Sequence, residues 1–140
     1  MTMPQDAAKR CFDVLVSATA LIFVSPLLLL IAIAIRLDSG GAVIFRQARL
    51  GRFNVPFTLF KFRTMIENAP DYRNADGSSF NAANDPRVTR LGNFLRRTSL
   101  DELPQLFNVL SGEMSLVGPR PDQVDQARFY SGEEWRRTLV

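Results

Sequence analysis

Two adjacent carboxylates, Asp101 and Glu102, are the first residues in this chain whose types and spacing could do chemistry. Such a pair can divide its labour: one carboxylate attacks while the other holds a divalent cation. Aspartate is a good nucleophile towards phosphorus and gives an acyl phosphate. Mg²⁺ prefers one or two carboxylates together with phosphate oxygens and water. A structural role competes for the same residues. Ser99-x-x-Glu102 matches a capping box at a helix start, and Pro104 is tolerated in a first helical turn. The two roles are compatible, because a helix N-terminus favours both carboxylate and phosphate.

Cations surround this pair in the sequence. Lys61 and Arg63 lie two apart in an aromatic, Thr-containing stretch, so a strand would put them on one face as a phosphate clamp. Arg87, Arg90, Arg96 and Arg97 come just before the carboxylates, and Arg87 and Arg96 join Lys61, Arg63 and Arg120 as candidate substrate contacts. A solvated or headgroup-facing surface is the alternative for each of them. In Pro119-Arg120-Pro121 the prolines hold the backbone extended, which lowers the entropy cost of presenting the Arg120 guanidinium to a phosphate or a base. A stiff connector would have the same composition.

The 17 basic residues are 15 Arg and 2 Lys, and there is no histidine. Any acid–base or metal chemistry must therefore use Asp, Glu, Lys or Arg. Arg grips phosphate through a planar fork, although codon usage in a GC-rich genome would also raise its count. No nucleic-acid-binding motif accompanies the charge, so no nucleic-acid partner is expected. The single Cys11 allows no internal disulfide and no structural zinc site.

These groups need positioning, and 140 residues suffice for one small domain. Val14 to Ile35 is a run of 22 residues without a charge, roughly 33 Å as a straight helix and long enough for a bilayer core. It is too long for the apolar part of a signal peptide. Ser25-Pro26 lies near its middle. Pro26 removes a helical donor, so a bend is expected, and the Ser25 hydroxyl can satisfy the freed backbone. Lys9 and Arg10 precede the run, and Arg36, Arg46, Arg49 and Arg52 follow it. The positive-inside rule asks both flanks to be cytoplasmic. A plain spanning helix satisfies only one of them, whereas a helix that enters, bends and returns satisfies both.

After the turn at Ser39-Gly40-Gly41, Ala42–Gln47 and Phe57–Thr64 read as strands that could pair as a hairpin. Ala69 to Pro86 is polar and aperiodic, a long loop. Arg90–Arg97 and Leu103–Leu110 read as helices, Gly118–Pro121 as a rigid link, and Gln123–Leu139 as a mixed-charge helix. The expected fold class is α+β. A re-entrant membrane helix over residues 1–38 is followed by a small, mostly helical catalytic domain with a short hairpin over 39–140, lying on the membrane.

Seven pieces, in order, resemble the bacterial sugar transferase family, the monotopic phosphoglycosyl transferases. They are Lys9-Arg10-x-Phe12-Asp13, Ser25-Pro26-Leu27, Val43-Ile44-Phe45-x-Gln47-x-Arg49-Leu50-Gly51 and Lys61-Phe62-Arg63-Thr64-Met65. Then come Asp85-Pro86-Arg87-Val88-Thr89-Arg90-Leu91-Gly92, Ser99-Leu100-Asp101-Glu102-Leu103-Pro104-Gln105 and Gly118-Pro119-Arg120-Pro121. The resemblance implies a helix bent at Ser25-Pro26 in the bacterial inner membrane, with the active site on the cytoplasmic face. It implies Asp101 as nucleophile, forming a phosphosugar intermediate and releasing UMP, and Glu102 as the Mg²⁺ or Mn²⁺ ligand. Arg96 would contact phosphate, Lys61 would line the site, and Arg120 would contact the nucleotide. The substrates would be a UDP-sugar and a polyprenyl phosphate, typically undecaprenyl phosphate, and a homodimer is compatible with the family. Thr64 and Ala42 stand where the family often has Ser and Pro. Members usually continue through a Pro-Gly-Ile-Thr-Gly-like segment. Against that pattern the C-terminal part of the family domain is expected to be missing here. That sets a truncated inactive transferase, or a catalytically weak nucleotide- or lipid-binding protein, beside the enzyme.

Overall fold

The computed structural model describes residues 4–51, 54–77, 80 and 82–125. Helix α1 runs over Pro4–Ser39. Strands β1 (Ile44–Leu50) and β2 (Pro56–Phe62) follow, then α2 (Arg90–Arg97), a 3₁₀ turn over Leu100–Glu102, α3 (Gln105–Ser111) and β3 (Asp122–Gln123). The architecture is α+β, with one long apolar N-terminal helix and a small three-stranded sheet.

Helix α1 continues through Pro26. Proline cannot donate to the carbonyl four residues earlier, that of Ile22. Ser25 Oγ donates to this carbonyl instead, at 2.8 Å, as the Ser-Pro pair predicts. Along the middle of the helix Ile22, Phe23, Ser25, Pro26 and Leu27 are all exposed. The helix is long and apolar enough to cross a membrane by length and composition.

Both ends of α1 rest on the rest of the chain. Near its C-terminal end, Ile31 and Ile35 pack on Phe62 and Leu95 to form the buried core. Near its N-terminal end the contacts are polar. Arg10 donates to the last carbonyls of α3, at Val109 (2.5 Å) and Leu110 (2.7 Å). Helix ends leave such carbonyls without intrahelical partners, and a cation there also suits the dipole.

The sheet order is β2-β1-β3, with both pairings antiparallel. The hairpin is as the sequence indicates, but β1 is longer, reaching Leu50, and β2 stops at Phe62. The third strand was not anticipated. It takes Asp122 and Gln123, so the helix expected from Gln123 does not begin there, and residues 126–139 of that helix lie outside the described residues. The free edge of β2 is covered by one side chain. Asn108 of α3 is fully buried and imitates a neighbouring strand. Its Oδ1 accepts from the Phe60 N–H (3.0 Å), and its Nδ2 donates to the Thr58 carbonyl (2.7 Å) and to Glu113 (2.7 Å).

Helix α2 approaches the segment after β2 so closely that only glycine fits. A Cβ on Gly92 would lie 1.9 Å from the Thr64 carbonyl oxygen. Two substitutions test these contacts. Asn108→Ala leaves two backbone groups on the β2 edge without this partner and is expected to cost about 2 kcal/mol. Gly92→Ala must push α2 off Thr64, and over-packing of this kind costs about 3 kcal/mol. Denaturant unfolding of the detergent-solubilised protein measures both, and a loss below about 0.5 kcal/mol would contradict these roles.

Candidate active site

Helix α2 stops because Ser99 takes a left-handed backbone, φ 58° and ψ 16°. A residue with a Cβ adopts that geometry at a cost of about 1 kcal/mol. The reversal sends the chain into the 3₁₀ turn that carries Asp101 and Glu102, with Pro104 leading into α3. The capping box expected at Ser99 does not form. An N-cap side chain reaches back from extended backbone, and left-handed Ser99 makes no side-chain cap bond. Helix α3 itself begins only at Gln105. The Glu102 carboxylate is therefore used elsewhere. Its Oε1 lies 3.6 Å from Lys61 Nζ on β2 and 2.9 Å from Arg120 Nη2.

Asp101 is buried at this turn. Burial raises its carboxyl above the ordinary value; Lys61 pulls it back, Glu102 adds to the rise, and Arg96 with a backbone hydrogen bond lowers it. Lys61 is lowered by burial, against the raising influence of Glu102. The sequence-predicted Asp101, Glu102, Lys61, Arg96 and Arg120 thus converge. Two carboxylates meet three cations drawn from β2, α2 and the extended arm after α3.

Arg63 and Arg87 do not join them. Strand β2 ends before Arg63, so the shared strand face with Lys61 is lost and the two-residue clamp is not formed. The Arg63 guanidinium turns to the end of α1, donating to Ser39 Oγ (2.8 Å) and to the Gly40 carbonyl. Arg87 is buried in the long loop. It pairs with Asp85 (2.6 Å), donates to the Pro70 and Phe80 carbonyls, and stacks 4.7 Å from the Tyr72 ring centre. It ties Pro70, Tyr72, Phe80 and Asp85 together.

Two further residues contribute to the site. Thr64 Oγ1 accepts from Arg96 Nε at 2.8 Å and orients that side chain. Arg49 donates to the Pro121 carbonyl (3.1 Å) beside Arg120 and is held by Gln47, two residues away on the same strand face. The Gln47-x-Arg49 spacing was the available signal. Among the described residues no three potential metal ligands gather. The Asp101–Glu102 pair fits the Mg²⁺ mode in which one or two carboxylates share the ion with substrate phosphates; it does not fit an all-protein cage.

The chain matches the bacterial sugar transferase family over residues 4–139 and belongs to that family. It is 54% identical over 113 residues to the undecaprenyl-phosphate glucose phosphotransferase of Komagataeibacter xylinus, covering 81% of this chain and 21% of that protein. It is 51% identical over 124 residues to the UDP-glucose:undecaprenyl-phosphate glucose-1-phosphate transferase of Escherichia coli K12, covering 87% and 25%. It is 46% identical over 121 residues to an Aeromonas hydrophila UDP-N-acetylgalactosamine-undecaprenyl-phosphate N-acetylgalactosaminephosphotransferase, covering 84% and 28%. The chain therefore spans between a fifth and a third of the length of these relatives.

Asp101 and Asp85 should respond to pH with opposite signs. The raised Asp101 carboxyl contributes stability below its ordinary 3.8 and loses it as pH rises through the folded value. Asp85 is held at about 2 by Arg87, so its contribution is full above 3.8 and is lost as pH falls through 2. Asp101→Asn is expected to melt higher than the native protein at pH 7, and Asp85→Asn lower. Both differences should shrink near pH 3. Melting curves at the two pH values check the signs, and a lower-melting Asp101→Asn at pH 7 would contradict the assignment.

Proposed function

We propose that this chain transfers a sugar 1-phosphate from a UDP-sugar to a polyprenyl phosphate, typically undecaprenyl phosphate, through a covalent intermediate on Asp101. The observation that carries the proposal is the buried Asp101 beside Glu102, set among Lys61, Arg96 and Arg120, in a member of this family. The relatives' names, which include both glucose and N-acetylgalactosamine donors, support the substrate class and leave the sugar open.

In the first half-reaction an Asp101 carboxylate oxygen attacks the donor phosphorus that bears the sugar. A carboxyl–phosphorus bond forms, the bridging P–O bond of the diphosphate breaks, and UMP leaves. In the second, a phosphate oxygen of the polyprenyl phosphate attacks the same phosphorus. This forms polyprenyl-diphosphate-sugar and frees Asp101. Burial lifts the Asp101 carboxyl, and the charges of Lys61 and Arg96 oppose the rise. Arg96, fixed by Thr64, and Lys61 face the transferred phosphate, while Arg120 faces the nucleotide. Glu102 would hold Mg²⁺ or Mn²⁺, which when bound offsets charge on the diphosphate.

Two half-reactions suit substrates from two phases, since the soluble donor leaves before the lipid arrives. The placement of α1 supports a cytoplasmic, re-entrant arrangement in the bacterial inner membrane. Its two ends dock on one small body, and its exposed apolar middle lies between them. A straight span would separate its ends by the roughly 30 Å of the hydrocarbon core.

Two experiments test the proposal. With labelled UDP-sugar and no acceptor, native protein should release UMP and carry a phosphosugar on the peptide around Leu100–Leu106. Asp101→Asn should do neither, and excess chelator should stop turnover. Label on another residue, or an active Asp101→Asn protein, would overturn the assignment. For topology, a membrane-impermeant thiol reagent should reach the exposed Cys11, and a cysteine placed at Asp38, only from the cytoplasmic side. Replacing Ser25 and Pro26 with Ala and Leu should move Cys11 to the other side. Labelling of native Cys11 from outside would refute re-entry.

A further inference from the structure

Asp13, in the opening Lys9-Arg10-x-Phe12-Asp13 motif, has no part in the chemistry above. It lies on the apolar helix α1 and is buried, with 4% exposed. A buried carboxylate is costly unless it is hydrogen-bonded. Its Oδ2 accepts from the Ser115 hydroxyl at 2.7 Å, and its Oδ1 from the Leu116 backbone N–H at 3.3 Å. Lys9, one turn earlier, donates to the same hydroxyl and lies 4.0 Å from Asp13. These contacts join the first turns of α1 to a segment more than 100 residues later.

That segment runs straight into the site. Arg120 follows Leu116 by four residues, and Pro119 and Pro121 stiffen the intervening chain. The far end is also fastened. Arg49 holds the Pro121 carbonyl, and Asp122 and Gln123 pair with β1. Only Val117 to Arg120 lie between the two anchors, so where Arg120 can reach depends on both. One anchor belongs to the sheet and the other to the membrane-type helix.

We infer that Asp13 is a positioning residue: through Ser115 and Leu116 it sets the stance of the Arg120 guanidinium against Glu102, coupling the seating of α1 to the hold on the nucleotide donor. The inference rests on the reading of Arg120 as a donor contact. If Asp13 only docked the helix, its loss would weaken folding and leave donor affinity alone. If it acts through Arg120, its loss must resemble the loss of Arg120 and vanish once Arg120 is gone.

The test is a double-mutant cycle in the membrane-embedded protein. Initial rates are titrated with UDP-sugar for native protein, Asp13→Asn, Ser115→Ala, Arg120→Ala and the Asp13→Asn/Arg120→Ala pair. Arg120→Ala should raise KM for the donor by about tenfold, as loss of one charged contact does. Asp13→Asn and the milder Ser115→Ala should raise KM several-fold with kcat little changed, and the pair should match Arg120→Ala alone. Amide exchange at Val117, Gly118 and Arg120 should quicken in both single variants, a readout independent of turnover. An unchanged KM and unchanged exchange in Asp13→Asn and Ser115→Ala, with Arg120→Ala impaired, overturns the inference. Full additivity in the pair overturns it too. An unchanged KM in Arg120→Ala overturns instead the donor-contact reading on which it rests.

Discussion

One carboxylate ties the site together. Glu102 stands between Lys61 on β2 and Arg120 on the arm after α3, and these three residues come from distant parts of the chain. Without that shared charge, two cations would face each other across the turn. Burial lowers both Lys61 and Arg49, and the Arg120 charge lowers each of them further. A donor diphosphate would compete with Glu102 for those same cations. On the proposed reading, donor binding exchanges partners and leaves the Glu102 oxygens free for a metal ion. Cations already gathered around a carboxylate need little rearrangement to meet a phosphate, which is the preorganisation that electrostatic catalysis requires.

The backbone around this centre is built to keep its shape. Left-handed Ser99 turns the chain sharply enough to present two consecutive carboxylates, and strain of that kind persists only where the surroundings hold it. Here they do. Gly92 lets α2 lie on the Thr64 carbonyl, and Thr64 in turn orients Arg96. Asn108 locks α3 to β2 on the far side. Asp101 and Glu102 sit between these two fastenings, so the turn that carries them is held by packing on both sides.

Local patterns in the sequence revealed much of this. The Ser25-Pro26 pair announced both the missing donor and its substitute, because the affected groups lie within one helical turn. The hairpin, α2 and the Asp101–Glu102 pair were legible for the same reason. The failures share a cause as well. The clamp of Lys61 and Arg63 assumed a strand that continued to Thr64, and a strand that ends two residues earlier, at Phe62, leaves Arg63 free to turn to the end of α1. The capping box at Ser99 was a sound pattern defeated by a backbone angle that composition does not specify. Arg87 was assigned to substrate, although its partners, the carbonyls of Pro70 and Phe80, come from a loop with no periodicity to read. Strand β3 is two residues long, below what any pattern detects.

The two ends of α1 are held by different forces, and the difference bears on what the helix does. The C-terminal end docks by burying Ile31 and Ile35 against Phe62 and Leu95, a contact with little directional demand. The N-terminal end docks through Arg10 on the α3 carbonyls and through Asp13, contacts that fix orientation as well as proximity. Polar contacts of this kind strengthen where water is scarce, as at a lipid interface. A helix needed only as an anchor could rely on its apolar middle, and its polar end would be surplus. The polar end instead reaches the segments on either side of the site, α3 after the carboxylates and the arm before Arg120. The helix that would lie in lipid is thus also a wall of the small domain that carries the candidate site, and exchanging it for another apolar helix of equal length would remove the contacts of Arg10 and Asp13.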